Sequence, residues 1–337
     1  MVFNSFKDSR RILQTLSVAT IDRPKLYTFH GVISSTQGFS VGSSPWDESC
    51  RRKRKAASAT LSRAALKDYY DMIDLESYCL IRDIVTEGDH GKAEFSIKPF
   101  VQRYALSASL TLCYGLRMDS SYNQLLEEIL EVGSAISLLR SASANYQDYV
   151  PSLRFFPNEK NRRSKELRVR RDHYLDRLMG IAKERIRHGV DTPCVSSAVL
   201  KDEQSNLTKE EVGSICLSMI SGGFESIPAT LMMCVASLAM PDGRQMQERA
   251  HQDILRHYPT VGEAWAASFQ EEKVPYINAL IKETLRQFTV TPMIPPRQTT
   301  TDIHWDGCII PAKTMILVNA QAANHGKLIR KPRRSLS

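Results

Sequence analysis

The chain has no Cys-x-x-Cys pair. Its seven cysteines fall at irregular spacing, which supports neither a disulfide framework nor a zinc site and makes a reducing compartment the default. An apolar start is missing too. Met1-Val2-Phe3-Asn4-Ser5-Phe6-Lys7-Asp8 lacks the hydrophobic stretch of a signal peptide, and charges interrupt every candidate span elsewhere, so neither a signal peptide nor a transmembrane helix is expected. There is no internal repeat and no low-complexity linker. Aromatic residues do not interleave with the cations and no nucleic-acid recognition motif is present, which removes nucleic acid from the expected partners.

What is present is an ordinary globular composition, 42% hydrophobic and 24% charged, with a net charge of +8. At 337 residues, length alone favours two domains. Much of the positive excess lies in Arg51-Arg52-Lys53-Arg54-Lys55 and between Arg162-Arg163 and Arg170-Arg171. Solvated helix faces are the first reading of such runs, and an acidic protein partner the second.

Most of the chain carries helical periodicity. Ser44 as cap and Pro45 in the first turn predict a helix running to about Ala65. Further helices are expected over 67–85, 100–114, 122–139 and 161–188, the last with apolar positions at Leu167, Tyr174, Leu175 and Leu178. Thr208 with Glu211 three residues on is a capping box that opens an apolar helix reaching Ala239. Gly222, Gly223 and Pro228 lie inside it, at about 1 kcal/mol for each glycine and about 3 for the proline, which predicts a bent or opened segment. Two helices follow over 248–257 and 274–288, and then short β-branched runs over 297–304, 308–310 and 314–318, separated by Asp306-Gly307 and Pro311-Ala312. The class is mainly α with a small β region.

Glu283 and Arg286 stand three apart on one helix and can pair. Alone such a pair is worth under about 1 kcal/mol. Its setting raises its weight: the helix carries Ile277, Leu280, Ile281 and Leu285, and it leads into Pro295-Pro296-Arg297, so the pair is expected on a largely buried helix.

Taken in order, these segments resemble the cytochrome P-450 monooxygenases. Gly222-Gly223-Phe224-Glu225-Ser226 resembles the oxygen-activation motif of that family's long central helix, and Glu283-x-x-Arg286 its fold-locking pair. Pro295-Pro296-Arg297 resembles the turn whose basic residue reaches a haem propionate. Ser44-Pro45-Trp46-Asp47-Glu48-Ser49 resembles the helix whose tryptophan does the same, and Asn319 to His325 the stretch that follows. Ser-Pro-Trp-Asp-Glu-Ser, Ser-Gly-Gly-Phe-Glu-Ser and Asp-Tyr-Val-Pro are similar to the fungal phenylacetate hydroxylase group and to the m-cresol hydroxylases.

The resemblance implies a P-450 fold, a helical bundle with a small β region, holding haem b and receiving electrons from an NADPH-dependent cytochrome reductase. It also implies hydroxylation of a small aromatic or polyketide-derived metabolite. Glu225 and Ser226 would relay protons, with Gly222 and Gly223 making room; the bland reading of the glycines is close helix packing. Trp46 and Arg297 would meet the propionates, and the basic run after Trp46 would face the reductase. The segment around Tyr146–Phe156 is a candidate pocket lining.

Two departures stand out. The family's arginine four residues after the tryptophan is Cys50 here, which displaces that propionate contact. Residues 1–325 read as a partial family domain, and 326–337 as a basic tail in place of the loop that carries the axial cysteine, so no metal ligand is assigned. As written, the chain is expected to be inactive and, lacking the membrane anchor of an endoplasmic-reticulum enzyme, cytoplasmic. The alternatives are a non-catalytic remnant and a helical binding protein that uses the basic surfaces.

Overall fold

A computed structural model describes residues 1–62, 64–121, 123–139, 145–156, 158–190, 193–201, 206–268 and 273–326. The expected basic tail therefore lies, from residue 327 on, outside the described residues. In chain order the elements are β1 (Val2–Phe3), α1 (Phe6–Arg10), α2 (Glu48–Thr60), α3 (Tyr70–Glu87), α4 (Lys98–Tyr114), α5 (Gln124–Leu139), α6 (Glu159–Arg187), α7 (Val195–Lys201) and α8 (Lys209–Ala239). They continue with α9 (Gly243–His257), α10 (Val261–Ala267), α11 (Pro275–Gln287), β2 (Arg297–Gln298), β3 (Ile303–Trp305), β4 (Cys308–Ile310), β5 (Met315–Val318) and α12 (Ala320–His325). The chain is mainly helical with small sheets, as its periodicity predicts.

Two compact units divide it. The larger comprises Ile21–Glu225 and Arg297–Met315; the smaller comprises Met1–Thr20, Ser226–Pro296 and the described residues from Ile316 on.

In the larger unit the core is built from helical stripes. Leu126, Ile129, Val132 and Ile136 form the buried face of α5, and Leu167, Tyr174, Leu175 and Leu178 that of α6. The first half of α8 contributes Val212, Ile215, Cys216, Ile220 and Phe224 at the same period. Each such side chain contributes about 1.5–3 kcal/mol on burial. Arg170 clasps α5 to α6, its Nε donating to Glu128 Oε1 at 2.8 Å and its Nη1 to Glu131 Oε1 at 2.9 Å.

A buried charge network fixes α3 to α4. Glu76, fully buried, accepts from Arg103 Nη1 at 2.6 Å, from Ser107 Oγ at 3.0 Å and from Arg117 Nε at 2.7 Å. The antiparallel β3–β4 hairpin turns on Asp306 (φ 47°) and Gly307 (φ 83°), the positive pair that a two-residue turn with the strands' own twist requires.

In the smaller unit β1 runs parallel to β5, Val2 beside Leu317 and Phe3 beside Val318. α11 packs there on α9 and on α12.

Three expectations are corrected. The helix after Trp46 begins at Glu48, capped by Asp47, whose Oδ1 accepts from Cys50 N at 2.8 Å, and it ends at Thr60. Ser44 stands four residues before the first turn, and its hydroxyl instead donates to Ser40 O at 3.0 Å and accepts from Lys53 Nζ at 2.7 Å. α8 is one continuous helix through Gly222, Gly223 and Pro228 and is not opened there. It is also long and apolar enough to cross a membrane, with a mean hydropathy of 1.3 in its most apolar stretch, although its first half lies in the core. Finally, α11 is not largely buried: Ile281 and Leu285 are each 51% exposed.

Candidate functional site

The α8 motif separates into residues with different surroundings. A Cβ on Gly223 would stand 2.2 Å from Ser109 Oγ on α4, so this glycine permits close helix packing. Gly222 is exposed, and a Cβ there would meet nothing within 4 Å. Phe224 is buried against Gly133 of α5, whose own Cβ would come 2.6 Å from the ring. Glu225 is half-buried, and its Oε2 accepts from Ser137 Oγ of α5 at 2.9 Å. One residue on, the Ser226 carbonyl accepts from Thr230 Oγ1 at 2.8 Å, a hydroxyl bonding back one turn along the helix.

Trp46 and Arg297 belong to a second cluster, organised by Asp22. The Asp22 carboxylate accepts from Trp46 N at 2.8 Å and from Arg23 N at 2.9 Å, and its backbone carbonyl accepts from Gln298 N at 2.9 Å. Burial pushes the Asp22 carboxyl up, but those two N–H groups and Lys313 more than offset it and hold it below the usual carboxylate range. The antiparallel bridge between Asp22 and Gln298 places Arg23 opposite Arg297. Arg54 lies 5.3 Å from the centre of the Trp46 ring, and Arg51 5.5 Å. Cys50, where the family's arginine is expected, is fully buried. Arg54, one helical turn later, takes the place beside the indole.

Glu283 and Arg286 do pair, Nε donating to Oε2 at 2.7 Å and Nη2 to Oε1 at 2.6 Å. Arg286 Nη1 also donates to the Asn324 carbonyl at 2.8 Å, and Asn324 Nδ2 donates to Thr289 Oγ1 at 2.8 Å. Arg286 thereby ties α11 to α12. Glu283 itself remains 62% exposed.

The cysteines divide by burial. Cys50, Cys79, Cys113, Cys194 and Cys216 are buried, Cys234 is half-buried and Cys308 is exposed on β4. Its hydrogen bond to Cys216, and then burial, push the Cys113 thiol well up, which leaves it inert. Among the described residues no three His, Cys, Asp or Glu side chains gather to hold a metal ion. A cavity of about 280 Å³ opens beside the Tyr146–Phe156 segment, lined by Tyr146, Leu153 and Phe156 together with Asn145, Gln147 and Asn161.

A family model described as Cytochrome P450 matches residues 1–329. The chain belongs to the cytochrome P450 family. It is 46% identical over 323 residues to the phenylacetate 2-hydroxylase of Emericella nidulans, and 35% identical over 326 residues to the 3-hydroxyphenylacetate 6-hydroxylase of the same organism. Each alignment covers 96% of this chain and 62% of the relative. A cytochrome P450 monooxygenase of Mycosarcoma maydis is 33% identical over 327 residues, with 96% of this chain and 60% of the relative covered. The chain thus spans about three-fifths of the length of these P450 relatives.

Sequence reasoning missed Ser137, Arg23 and Arg54 as neighbours of these P450 motifs. Arg54 was within reach, since it stands two turns from Trp46 along one helical face. Nothing local marks the other two, because only the Asp22–Gln298 bridge and the packing of α5 on α8 bring them in.

Proposed function

We propose that this chain serves a haem-dependent monooxygenase that hydroxylates a small aromatic or polyketide-derived metabolite, with an arylacetate the leading substrate class. The observation that carries the reading is the 46% identity to a phenylacetate 2-hydroxylase across nearly the whole chain. The residues present fit a haem on one structural point. Arg297 Nε is buried with no hydrogen-bond partner, in a cluster rich in guanidinium groups, and a propionate carboxylate has the complementary chemistry.

Trp46 and Arg297 would hold the propionates. Haem supplies, when bound, the oxygen chemistry that no side chain can perform. The residues of this chain handle protons and position. Glu225 takes up and returns a proton at its carboxylate, and the Ser137 hydroxyl, donating to Oε2, keeps that carboxylate in one rotamer. Ser226 offers a second hydroxyl one residue on. Glu283 and Arg286 hold α11 to α12. Electrons would come from an NADPH-dependent reductase docking on the exposed cations of α2. None of the seven cysteines stands out as an axial thiolate, so activity depends on such a ligand being supplied.

The test is reconstitution of the purified chain with haemin, followed by gel filtration and absorption spectroscopy. Retained haem is the expected result, with hydroxylated product from phenylacetate, reductase and NADPH only when a thiolate ligand is added. A chain that emerges folded and free of haem would overturn this reading in favour of a non-catalytic remnant.

A further inference from the structure

The cavity beside the Tyr146–Phe156 segment shares no lining residue with the α8 motif, the Asp22 cluster or the Glu283–Arg286 pair. It lies wholly within the larger unit, between Thr28 and the start of α6. Its floor of Thr28, Asn145 and Gln147 is buried, and its rim of Tyr146, Leu153, Phe156 and Lys160 is exposed. Hydrogen bonds hold the walls in place. Asn161 Nδ2 donates to Gln147 Oε1 at 2.9 Å, Gln147 Nε2 to the Leu153 carbonyl at 3.1 Å, and Thr28 N to Asp148 Oδ1 at 2.6 Å.

Two independent observations point to a ligand there. Thr28 is 2% exposed and lines the cavity, yet its hydroxyl makes no hydrogen bond among the described residues, a condition that buried polar groups rarely keep. The lining also holds one cation, Lys160, and no acid. Of the carboxylates nearby, Asp148 accepts the Thr28 N–H and Glu159 pairs with Arg162. Facing this polar side are the rings of Tyr146 and Phe156 and the Leu153 side chain. A ligand that satisfies both sides is an anion at one end and a ring at the other. At about 280 Å³ the cavity falls just under the roughly 300–1,000 Å³ that drug-sized ligands occupy, which suits a single ring with a short arm.

We infer that this cavity is a recognition site for an arylacetate, in which Lys160 Nζ and the Thr28 hydroxyl donate to the carboxylate and the ring lies against Tyr146 and Phe156. The backbone at the start of α6 does not take this part, because the Lys160 N–H already donates to Asn158 Oδ1 at 2.7 Å. Hydrogen bonds to a carboxylate from a charged donor are about twice as strong as neutral ones, so the site favours the acid over a neutral arene of the same size. The inference rests on the proposed substrate class for its choice of acid, and it needs no haem.

The test is calorimetric titration of the full, haem-free chain with phenylacetate, 2-phenylethanol and acetate. Phenylacetate should bind about tenfold or more tighter than either, since the alcohol lacks the charge and acetate lacks the ring. Lys160→Ala should weaken phenylacetate about tenfold and leave 2-phenylethanol unchanged. Thr28→Val keeps the shape and removes the hydroxyl, and should weaken phenylacetate about fivefold. Phe156→Ala, at an exposed position, should weaken both aromatic ligands. Lys165→Ala, which removes an exposed cation of α6 outside the lining, should change nothing. Far-UV circular dichroism establishes that each variant is folded.

Phenylacetate binding that survives both Lys160→Ala and Thr28→Val would overturn the inference. Equal binding of acid and alcohol, or no binding of phenylacetate by the folded parent chain, would overturn it as well. None of these results bears on the haem reading, which haem retention decides separately. A chain that retains no haem but binds phenylacetate through Lys160 would leave this site standing and that reading overturned.

Discussion

Adjacent glycines in the α8 motif should respond oppositely to alanine. A Cβ at position 223 would lie 2.2 Å from Ser109 Oγ, 3.5 Å from Ser109 Cβ and 4.0 Å from the Ala105 carbonyl. Ser109 is 7% exposed and its hydroxyl donates to Ala105 O at 2.8 Å, so rotating it away costs a buried hydrogen bond. Overpacking of this kind costs about 1–3 kcal/mol, and the close approach puts it near the upper end. Alanine regains about 1 kcal/mol of helix propensity, which leaves Gly223→Ala destabilised by roughly 1–2 kcal/mol. Gly222→Ala meets no atom and keeps the whole propensity gain, a stabilisation of about 1 kcal/mol. Urea unfolding of the purified chain, read by far-UV circular dichroism, measures both. Ser109→Ala removes only the clashing oxygen, because its Cβ stays at ordinary contact distance, so the Gly223→Ala, Ser109→Ala double variant should return close to the parent. Shifts of the same sign in the two single variants, or no rescue by Ser109→Ala, would refute this division of roles.

Three further outcomes follow from the same geometry. Glu76→Ala leaves Arg103 charged and buried and should cost about 3–5 kcal/mol, while replacing Glu76 and Arg103 together by apolar residues should cost far less; equal losses in urea midpoints would refute the pairing argument. Burial raises the Glu211 carboxyl, but hydrogen bonds from Arg52, Ser49 and the Thr208 N–H outweigh it and set the folded value low. Its contribution to stability is therefore complete above an unfolded value of about 4.3 and is lost as pH falls through the folded one, so Arg52→Ala should flatten the acid limb of a stability–pH curve. Ser137→Ala should leave the urea midpoint within about 1 kcal/mol of the parent. It should also lower the ratio of hydroxylated product to NADPH consumed, because Glu225 loses the donor that orients it; an unchanged ratio would remove Ser137 from the proton path.

The elements that sequence made legible share a cause, and so do those it hid. α3 to α6, α8, α9 and α11 are long enough for a 3.6-residue period to repeat, and the Thr208 box forms as expected, Glu211 N donating to Thr208 Oγ1 at 3.2 Å and Thr208 N to Glu211 Oε2 at 3.0 Å. α7 and α10, at seven residues each, are too short to show a period. The cap at Asp47 was misread because Ser44 and Asp47 are equally good cap residues in isolation. The helix starts at Glu48, next to Asp47, and the Ser44 hydroxyl is left to Ser40 O and Lys53 Nζ. The site divides in the same way. Glu225, Trp46 and Arg297 were visible through motifs, whereas Ser137 and Arg23 enter through contacts between segments far apart in the chain.

The positive charge of the chain is therefore several quantities rather than one. Arg52, Arg103, Arg117 and Arg170 are matched to carboxylates, and these contribute to holding helices together. Arg51 and Lys55 remain exposed on α2, Arg51 beside Glu48 at 3.4 Å, where salt screens their charge. Arg54 and Arg297 belong to neither group: both are half-buried and without a carboxylate partner among the described residues, and Arg54 lies over the Trp46 indole. Burial and the charge of Arg54 both disfavour the charged form of Arg297, so the fold holds that cation at a cost. The net charge of +8 is therefore not one solvated basic face, because the fold pairs some cations, exposes others and desolvates a few.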